Sequence, residues 1–407
     1  MFLPILHQIR HTDNFAAPKE TEKGVNMNRN KTKELFEKVT IGGIALKNRF
    51  VRSAVWMKMA DQEGNITPEL MNLYVELAQG GVGLIITGYT YIDKNDQPNP
   101  LMSAIYEDRF IPQWKKVTDR VHEYGARIAL QIVYGGSQTG LPDSRNRVVL
   151  APSAVTNRVH GIEPKEMTRE EIRHVVKCFG DAAYRAKQSG FDAVQIHGAH
   201  GYLLSMFLNP YYNRRTDEYG GPDIHNRARI IYEVFTEMRN RVGNDFPIMI
   251  KLNFDDFAAP GEGLTLDDSI EMFKKLDEMG IDLIEPSATN ESLGNGQMVS
   301  RTKIRKAEEQ SYYFDAADKI ARMVKAPVIL MGGNRSVERM DQILQNSPIE
   351  LFSLGRPLLS EPDLINKWAA DKHYEPRCVS CNKCWTFTPN SCVFLQKREQ
   401  RSVSGAK

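Results

Sequence analysis

Residues 191–202 read FDAVQIHGAHGY: a short run, apolar on both faces, that stops abruptly in a polar cluster. The segment just before it is helical. Thr168 and Glu171 have the spacing of a capping box. A helix feeding a buried strand that ends in polar side chains is one unit of a parallel α/β fold. The same unit recurs in both directions along the chain. Seven further runs read as strands: Phe50–Val55, Val82–Thr87, Arg127–Val133, Pro247–Leu252, Ile281–Glu285, Pro327–Met331 and Ile349–Leu354. Between them, Thr67-Pro68 opens an amphipathic stretch with Leu70, Leu73, Tyr74 and Leu77 on one stripe, ended by Gly80-Gly81. Trp114, Val117, Val121 and Tyr124 keep helical spacing up to Gly125, and Thr265 to Gly280 repeats the scheme. Eight strands alternating with helices predict a (β/α)8 TIM barrel over residues 31–370, a single catalytic domain. A doubly wound sheet is the alternative, but its G-x-G-x-x-G turn is missing after the first strand.

Composition narrows the function. The 407 residues carry 53 Lys+Arg against 51 Asp+Glu, a net charge of +2, so bulk charge gives no basis for a nucleic-acid partner. With 41% hydrophobic and 26% charged residues this is an ordinary globular composition. No apolar run approaches the roughly 18–20 residues of a membrane span. Met1–Ile9 is apolar but short, broken by Pro4 and His7, and is a poor signal peptide. Residues 1–30 are expected to be a disordered extension or an upstream-start artefact, and the expected location is the cytoplasm. Of five cysteines, four lie close together near the C-terminus: Cys378, Cys381, Cys384 and Cys392. That clustering reads as a metal or cluster site in a Cys-rich tail, residues 371–407, rather than as a disulfide framework. Cys178, on a helix, reads as a packed core residue.

In a barrel of this kind the chemistry sits at the C-terminal ends of the strands. Those ends are Ser53, Thr87-Gly88, Gln131, His197, Lys251, Glu285-Pro286-Ser287, Gly332-Gly333-Asn334 and Gly355-Arg356. The last two turns suit a phosphate: glycines let backbone N–H groups approach an anion and Arg356 clamps it. Plain turns with a surface arginine would look the same. Lys251 reads as a cation beside a ligand that gains negative charge, as one half of an ion pair with Glu285, or as a Schiff-base lysine. His197 and His200, three apart on a strand-to-loop turn, can both donate to one carbonyl or phenolate oxygen, and Tyr202 adds a proton donor. A metal pair or core histidines are the competing readings. The charged run Asn213–Gly221, with Asn226-Arg227-Ala228-Arg229, reads as a loop braced by arginine–carboxylate pairs.

The stretch 196–229, IHGAHGYLLSMFLNPYYNRRTDEYGGPDIHNRAR, resembles the signature of the Old Yellow Enzyme family of FMN-dependent ene-reductases. Lys47-Asn48-Arg49-Phe50, Gly81–Gly88, Ala129-Leu130-Gln131, Ala151-Pro152-Ser153 and the two glycine turns support it, and the resemblance covers residues 33–370. It implies FMN held non-covalently at the barrel mouth. Ser53, Ala54, Val55 and Gly88 would contact the flavin, and Gln131 its pyrimidine edge. Lys251 matches a position that is usually arginine, near the flavin N1 and C2 carbonyl. Gly333, Asn334, Gly355 and Arg356 would hold the phosphate. His197 and His200 match the pair that binds the substrate carbonyl, and Tyr202 the residue that protonates the alkene carbon. The implied activity is ping-pong reduction of the C=C bond of enones, with NADH or NADPH as donor. The expected partners are that donor and a small-molecule substrate, with neither nucleic acid nor membrane; a homo-oligomer is left open. Three positions depart from the pattern: Trp56 replaces a small residue, Tyr134 a histidine and Lys251 an arginine.

The four tail cysteines resemble the [4Fe–4S] site of the dienoyl-CoA reductase and trimethylamine dehydrogenase-like branch, with altered spacing; zinc and free thiols are the alternatives. Three other functions stay open: an FMN/iron–sulfur dehydrogenase of the trimethylamine type, a phosphate-binding lyase using Lys251, and a non-catalytic metal-binding scaffold.

Overall fold

A computed structural model describes residues 32–141, 147–304 and 306–396; the expected extension at 1–30 lies outside them. The described residues from Lys33 onward form one unit. Eight parallel strands run β1 (Phe50–Arg52), β2 (Leu84–Ile86), β3 (Arg127–Val133), β4 (Ala193–Gly198), β5 (Ile248–Asp255), β6 (Leu283–Ala288), β7 (Ile329–Leu330) and β8 (Leu351–Leu354). Their order is β6-β5-β4-β3-β2-β1-β8-β7. A parallel bridge from Ile284 to Val328 joins β6 to the start of β7 and closes the ring. The expected TIM barrel is therefore present, with every strand on its predicted run. β5 and β6 extend a few residues further, through an irregularity at Asn253/Asp255, and carry their polar ends higher above the barrel.

The helices alternate with the strands: α1 (Pro68–Gln79), α2 (Ile111–His122), α3 (Arg169–Gln188), α4 (Arg229–Val242), α5 (Leu266–Glu278), α6 (Phe314–Ala321), α7 (Val337–Asn346) and α8 (Leu364–Ala370). Local chemistry starts them where the sequence predicts. The Thr67 side chain accepts from the Leu70 N–H, and Thr168 and Glu171 form the reciprocal capping box. Leu70, Tyr74 and Leu77 are buried as the stripe requires. Tyr124 departs from its stripe because α2 ends at His122, which leaves the ring at the surface.

The barrel interior is layered. Its lower part is apolar and closely packed by Val51, Leu84, Ile86, Ala129, Ala193, Met249, Leu283, Ile329 and Leu351. A hairpin, Val39–Ile41 with Ile44–Leu46, plugs the N-terminal end with Ile41, Ile44 and Leu46. Its tip is Gly42, where φ is +54° and a Cβ would stand 2.0 Å from the Leu283 Cδ1 atom, so no other residue fits the plug. Outside the sheet, Trp114 of α2 is fully buried between Tyr74 of α1 and Phe191, and donates its indole N–H to the Ala104 carbonyl at 3.0 Å. Trp114→Ala should destabilise the fold by about 3–5 kcal/mol, the range for emptying a large aromatic site, seen as a lower urea midpoint at unchanged slope.

Candidate active site

Side chains on a strand alternate between faces, so Gln195 and His197 of β4 point into the barrel together. In register across the sheet, Gln131 pairs with Gln195, and Lys251 with both His197 and Glu285. The apolar layers thus end in a polar one. Gln131 Nε2 donates to Gln195 Oε1 at 2.7 Å, and Gln195 Nε2 to Glu285 Oε2 at 2.9 Å. The other Glu285 oxygen accepts from Ser353 Oγ at 2.8 Å and Ser53 Oγ at 3.2 Å, and pairs with Lys251 Nζ at 3.1 Å. Lys251 also donates to Ser53 Oγ at 3.1 Å. Lysine and glutamate are both buried here. Of the three readings of Lys251, the structure contains the ion pair.

The histidines sit just above. Their rings lie 5.0 Å apart and nearly perpendicular. His200 turns the chain at φ +63°, a left-handed conformation uncommon for non-glycine residues, and its Nε2 lies 2.7 Å from Ser287 Oγ. His197 Nδ1 is buried with no partner. The Tyr202 ring is 5.0 Å from His197, and Asn99 Nδ2 lies 3.4 Å from the Tyr202 hydroxyl and 3.2 Å from that of Tyr89. Burial first, then the charges of His200 and Lys251, hold the His197 pKa well below the usual imidazole range. Burial, then Lys251, lowers that of His200 to about 3. Both are neutral at pH 7, and burial pushes the Tyr202 phenol upward. Neutral rings and a protonated phenol are the states that donate hydrogen bonds and hold a transferable proton.

These groups line one cavity of about 380 Å³ with Ser53, Ala54, Val55 and Gln131 at one side and Gly333, Asn334, Gly355 and Arg356 at another. Gly88 does not line it: its N–H is donated to the Tyr74 hydroxyl at 3.1 Å, and its Cα faces the Val55 carbonyl. At Gly333 φ is +81°, and a Cβ would press on the Tyr312 ring at 2.8 Å, so the backbone there is left bare. The Asn334 side chain is occupied in bridging the Leu330 and Ser353 carbonyls, which ties β7 to β8. Arg356 is buried and aimed by Asn382 Oδ1 at 2.5 Å. A larger groove of about 670 Å³ lies between outer helices, lined by groups such as Arg229, Glu237 and Lys274; it lacks the cavity's convergent buried groups.

Sequence reasoning missed Tyr89 and Asn99, which meet the reactive groups only in three dimensions, and named Ser287 as a strand end without its partner His200. Trp56, singled out as a departure, lies 6.3 Å from Tyr89 in the same wall. Gln195 was missed as well, although period-two alternation places it on the face of His197. The charged loop is braced as expected: Arg215 donates to the Pro152 and Met167 carbonyls and pairs with Asp217. Arg227 bonds the Leu208, Gly221 and Pro222 carbonyls and Asp268.

The tail packs over the same mouth. Cys378, Ser380, Trp385 and Asn390 line the cavity, while Cys384 and Cys392 are buried against Met57 and Leu359. Burial pushes the Cys378 thiol up, and that of Cys384 up to about 11. Among the described residues, no three of the four tail sulfurs lie within 4.8 Å of one another.

The profile of the NADH:flavin oxidoreductase / NADH oxidase family matches residues 34–375. A cinnamate reductase of Clostridium sporogenes is 33% identical over 371 residues, covering 86% of this chain and 55% of that protein. An NADPH dehydrogenase of Bacillus subtilis is 33% identical over 355 residues, covering 87% of this chain and 99% of its own. Among solved structures, a 2-naphthoyl-CoA reductase superposes with a TM-score of 0.79 at 23% identity over 89% of this chain and 57% of its own, a likeness of fold. The chain thus spans little more than half of the cinnamate reductase. No helix among the described residues is long and apolar enough to cross a membrane.

Two measurements test the electrostatics. Glu285→Ala leaves a buried ammonium unpaired and should cost about 3–5 kcal/mol of stability, read by urea unfolding. For His200, the unfolded imidazole takes a proton below pH 6.5 and the folded one only near 3. Between these values the unfolded state binds more protons, so stability falls as pH falls. A His200→Asn variant should lose stability less steeply than the parent across that window.

Proposed function

The chain belongs to the NADH:flavin oxidoreductase / NADH oxidase family, and on that premise we propose that it is an FMN-dependent NAD(P)H oxidoreductase that reduces the C=C bond of electron-poor alkenes. The observation that carries this reading is the pair of buried neutral imidazoles, one with a bare Nδ1, beside a protonated phenol in one cavity. The cavity fits a flat ligand with a polar edge and an anionic end. Gln131, Lys251 and Ser53 would hold the pyrimidine edge, with Ala54 and Val55 alongside. Gly88 would act from behind Val55, shaping that wall. The bare backbone at Gly333 and Asn334, with Gly355 and Arg356, would take the phosphate.

Bound FMN supplies hydride chemistry, from a nicotinamide donor to a carbon acceptor. The chain's residues do the rest. His197 and His200 donate hydrogen bonds to the substrate carbonyl oxygen, where negative charge gathers as the β-carbon is reduced. Being neutral, they give hydrogen bonds without giving up their protons outright. Tyr202 holds a proton at its hydroxyl for the α-carbon, with Asn99 beside that oxygen. Trp56, Tyr89 and Trp385 add aromatic surface to the cavity lining. Donor and alkene use the same space in turn, as a ping-pong sequence requires.

One observation favours a second reading, an FMN/iron–sulfur dehydrogenase of the trimethylamine dehydrogenase type: Cys378 of the tail lines the cavity itself. The lyase reading is weakened by the carboxylate partner of Lys251, since an aldolase-type lysine works as a desolvated free amine.

The purified protein should show two flavin bands that bleach anaerobically with NADH and release FMN on denaturation; a broad additional absorbance would support the iron–sulfur reading. His200→Ala should slow alkene reduction by about 10²–10³-fold with flavin retained, the usual cost of one oxyanion-type donor. Tyr202→Phe should slow the alkene half-reaction and leave bleaching by NADH intact. A colourless protein that takes up no added FMN would sink the assignment.

A further inference from the structure

On the outer side of the barrel, away from the cavity, three side chains of different chemistry converge. His174 and Cys178 lie one turn apart on α3, and Asp93 reaches them from the loop after β2. His174 Nε2 is 2.8 Å from Asp93 Oδ2 and 3.4 Å from Cys178 Sγ, and all three donor atoms lie within 4.8 Å of one another. Cys178, expected as a packed core residue, is only partly buried and puts its sulfur on the imidazole.

Both contacts fall on the same ring nitrogen. An imidazole nitrogen has one in-plane position: it carries a proton or a lone pair, never both. If Nε2 bears the proton it serves Asp93, and the thiol proton has no acceptor there. If it bears the lone pair it serves Cys178, and the Asp93 oxygen faces it with no proton between. A cation at the centre of the triangle satisfies all three atoms at once. We propose that Asp93, His174 and Cys178 form a binding site for a divalent transition-metal ion of the zinc type, with water completing the coordination.

The donor set selects the ion. One nitrogen, one thiolate sulfur and one carboxylate oxygen suit zinc and its neighbours, whereas magnesium and calcium demand oxygen ligands. Three protein ligands about 2.0–2.3 Å from one ion need only small adjustments from the observed separations. The neighbouring charges are balanced: Asp181 beside Cys178 pairs with Lys177 and Arg241, Glu171 pairs with Lys165, and Arg147 lines the same pocket as Asp93 and His174. The Asp93 carboxylate is already oriented, its Oδ1 accepting from the Asn95 N–H at 2.9 Å. The His174 side chain is 57% exposed, which admits the ion and its water. On binding, the Cys178 thiol releases its proton to solvent and His174 keeps one only at Nδ1. The ion would pin the loop after β2 to α3. That loop also carries Tyr89 and Asn99, so the metal would act as a structural clip behind the cavity wall.

The test uses the full-length protein, stripped with a chelator and re-equilibrated with zinc. Zinc per chain is measured for the parent and for Asp93→Asn, His174→Ala and Cys178→Ser prepared in parallel, so that any metal in the tail cancels. Each variant is expected to hold about one zinc fewer. Equal zinc in the parent and all three folded variants would overturn the proposal. As a measurement that needs no variant, zinc should slow iodoacetamide alkylation of Cys178 several-fold, read at that peptide by mass spectrometry. Alkylation at an unchanged rate would equally overturn it.

Discussion

A lysine and a glutamate buried together at 3.1 Å are the constraint on which the upper half of this barrel depends. Taking two charges out of water costs several kcal/mol per ion, recovered only if every remaining lone pair and proton finds a partner. Glu285 meets that demand with both oxygens: Ser53, Ser353 and Lys251 on one, Gln195 on the other. The ring spans five strands, from β1 and β8 through β6 and β5 to β4, and Gln131 extends it to β3. It is a half-satisfied liability if any member is lost, and a rigid platform when complete.

The same charge sets the chemistry above it. The Lys251 ammonium and the dry surroundings both oppose a second cation, so His197 and His200 stay neutral at pH 7. The pair is therefore a source of hydrogen bonds rather than a counter-charge. Below the ring the apolar layers and the Gly42 plug give the platform a firm floor. Beside it, Arg215 and Arg227 spend their guanidinium donors on backbone carbonyls, so a long loop without regular structure still holds its shape.

The tail changes what the mouth of the barrel is. Asn382 orients Arg356, Asn390 donates to the Trp56 carbonyl at 2.6 Å, and Lys58 reaches the Trp385 and Phe387 carbonyls. A cavity that would otherwise open to solvent acquires a wall from the last described residues of the chain. The Arg356 corner and the histidine corner are held by different parts of the sequence, the first by the β7 and β8 turns together with Asn382 of the tail and the second by β4 and its neighbours.

The strands and helix starts were legible because their signals are local: apolar runs of strand length, capping residues, and glycines that stop helices. The polar strand ends were legible for a topological reason, since a parallel barrel brings all eight to one face. His197, Gln131 and Lys251 could therefore be named before any contact was known. What the chain order could not say is who meets whom across the barrel. Tyr89 and Asn99 reach Tyr202 from more than a hundred residues away in sequence, and Ser287 reaches His200 from another strand. Gly88 follows the end of β2 as expected, and its N–H is spent on the Tyr74 hydroxyl of α1, a partner that chain order does not show. The sequence by itself determined the barrel and the set of polar groups at its mouth, because periodicity and strand ends are properties of neighbours in the chain. Only the tertiary structure decided which of those groups are paired, which are left bare and which are kept neutral, because pairing and desolvation depend on distances that close through space.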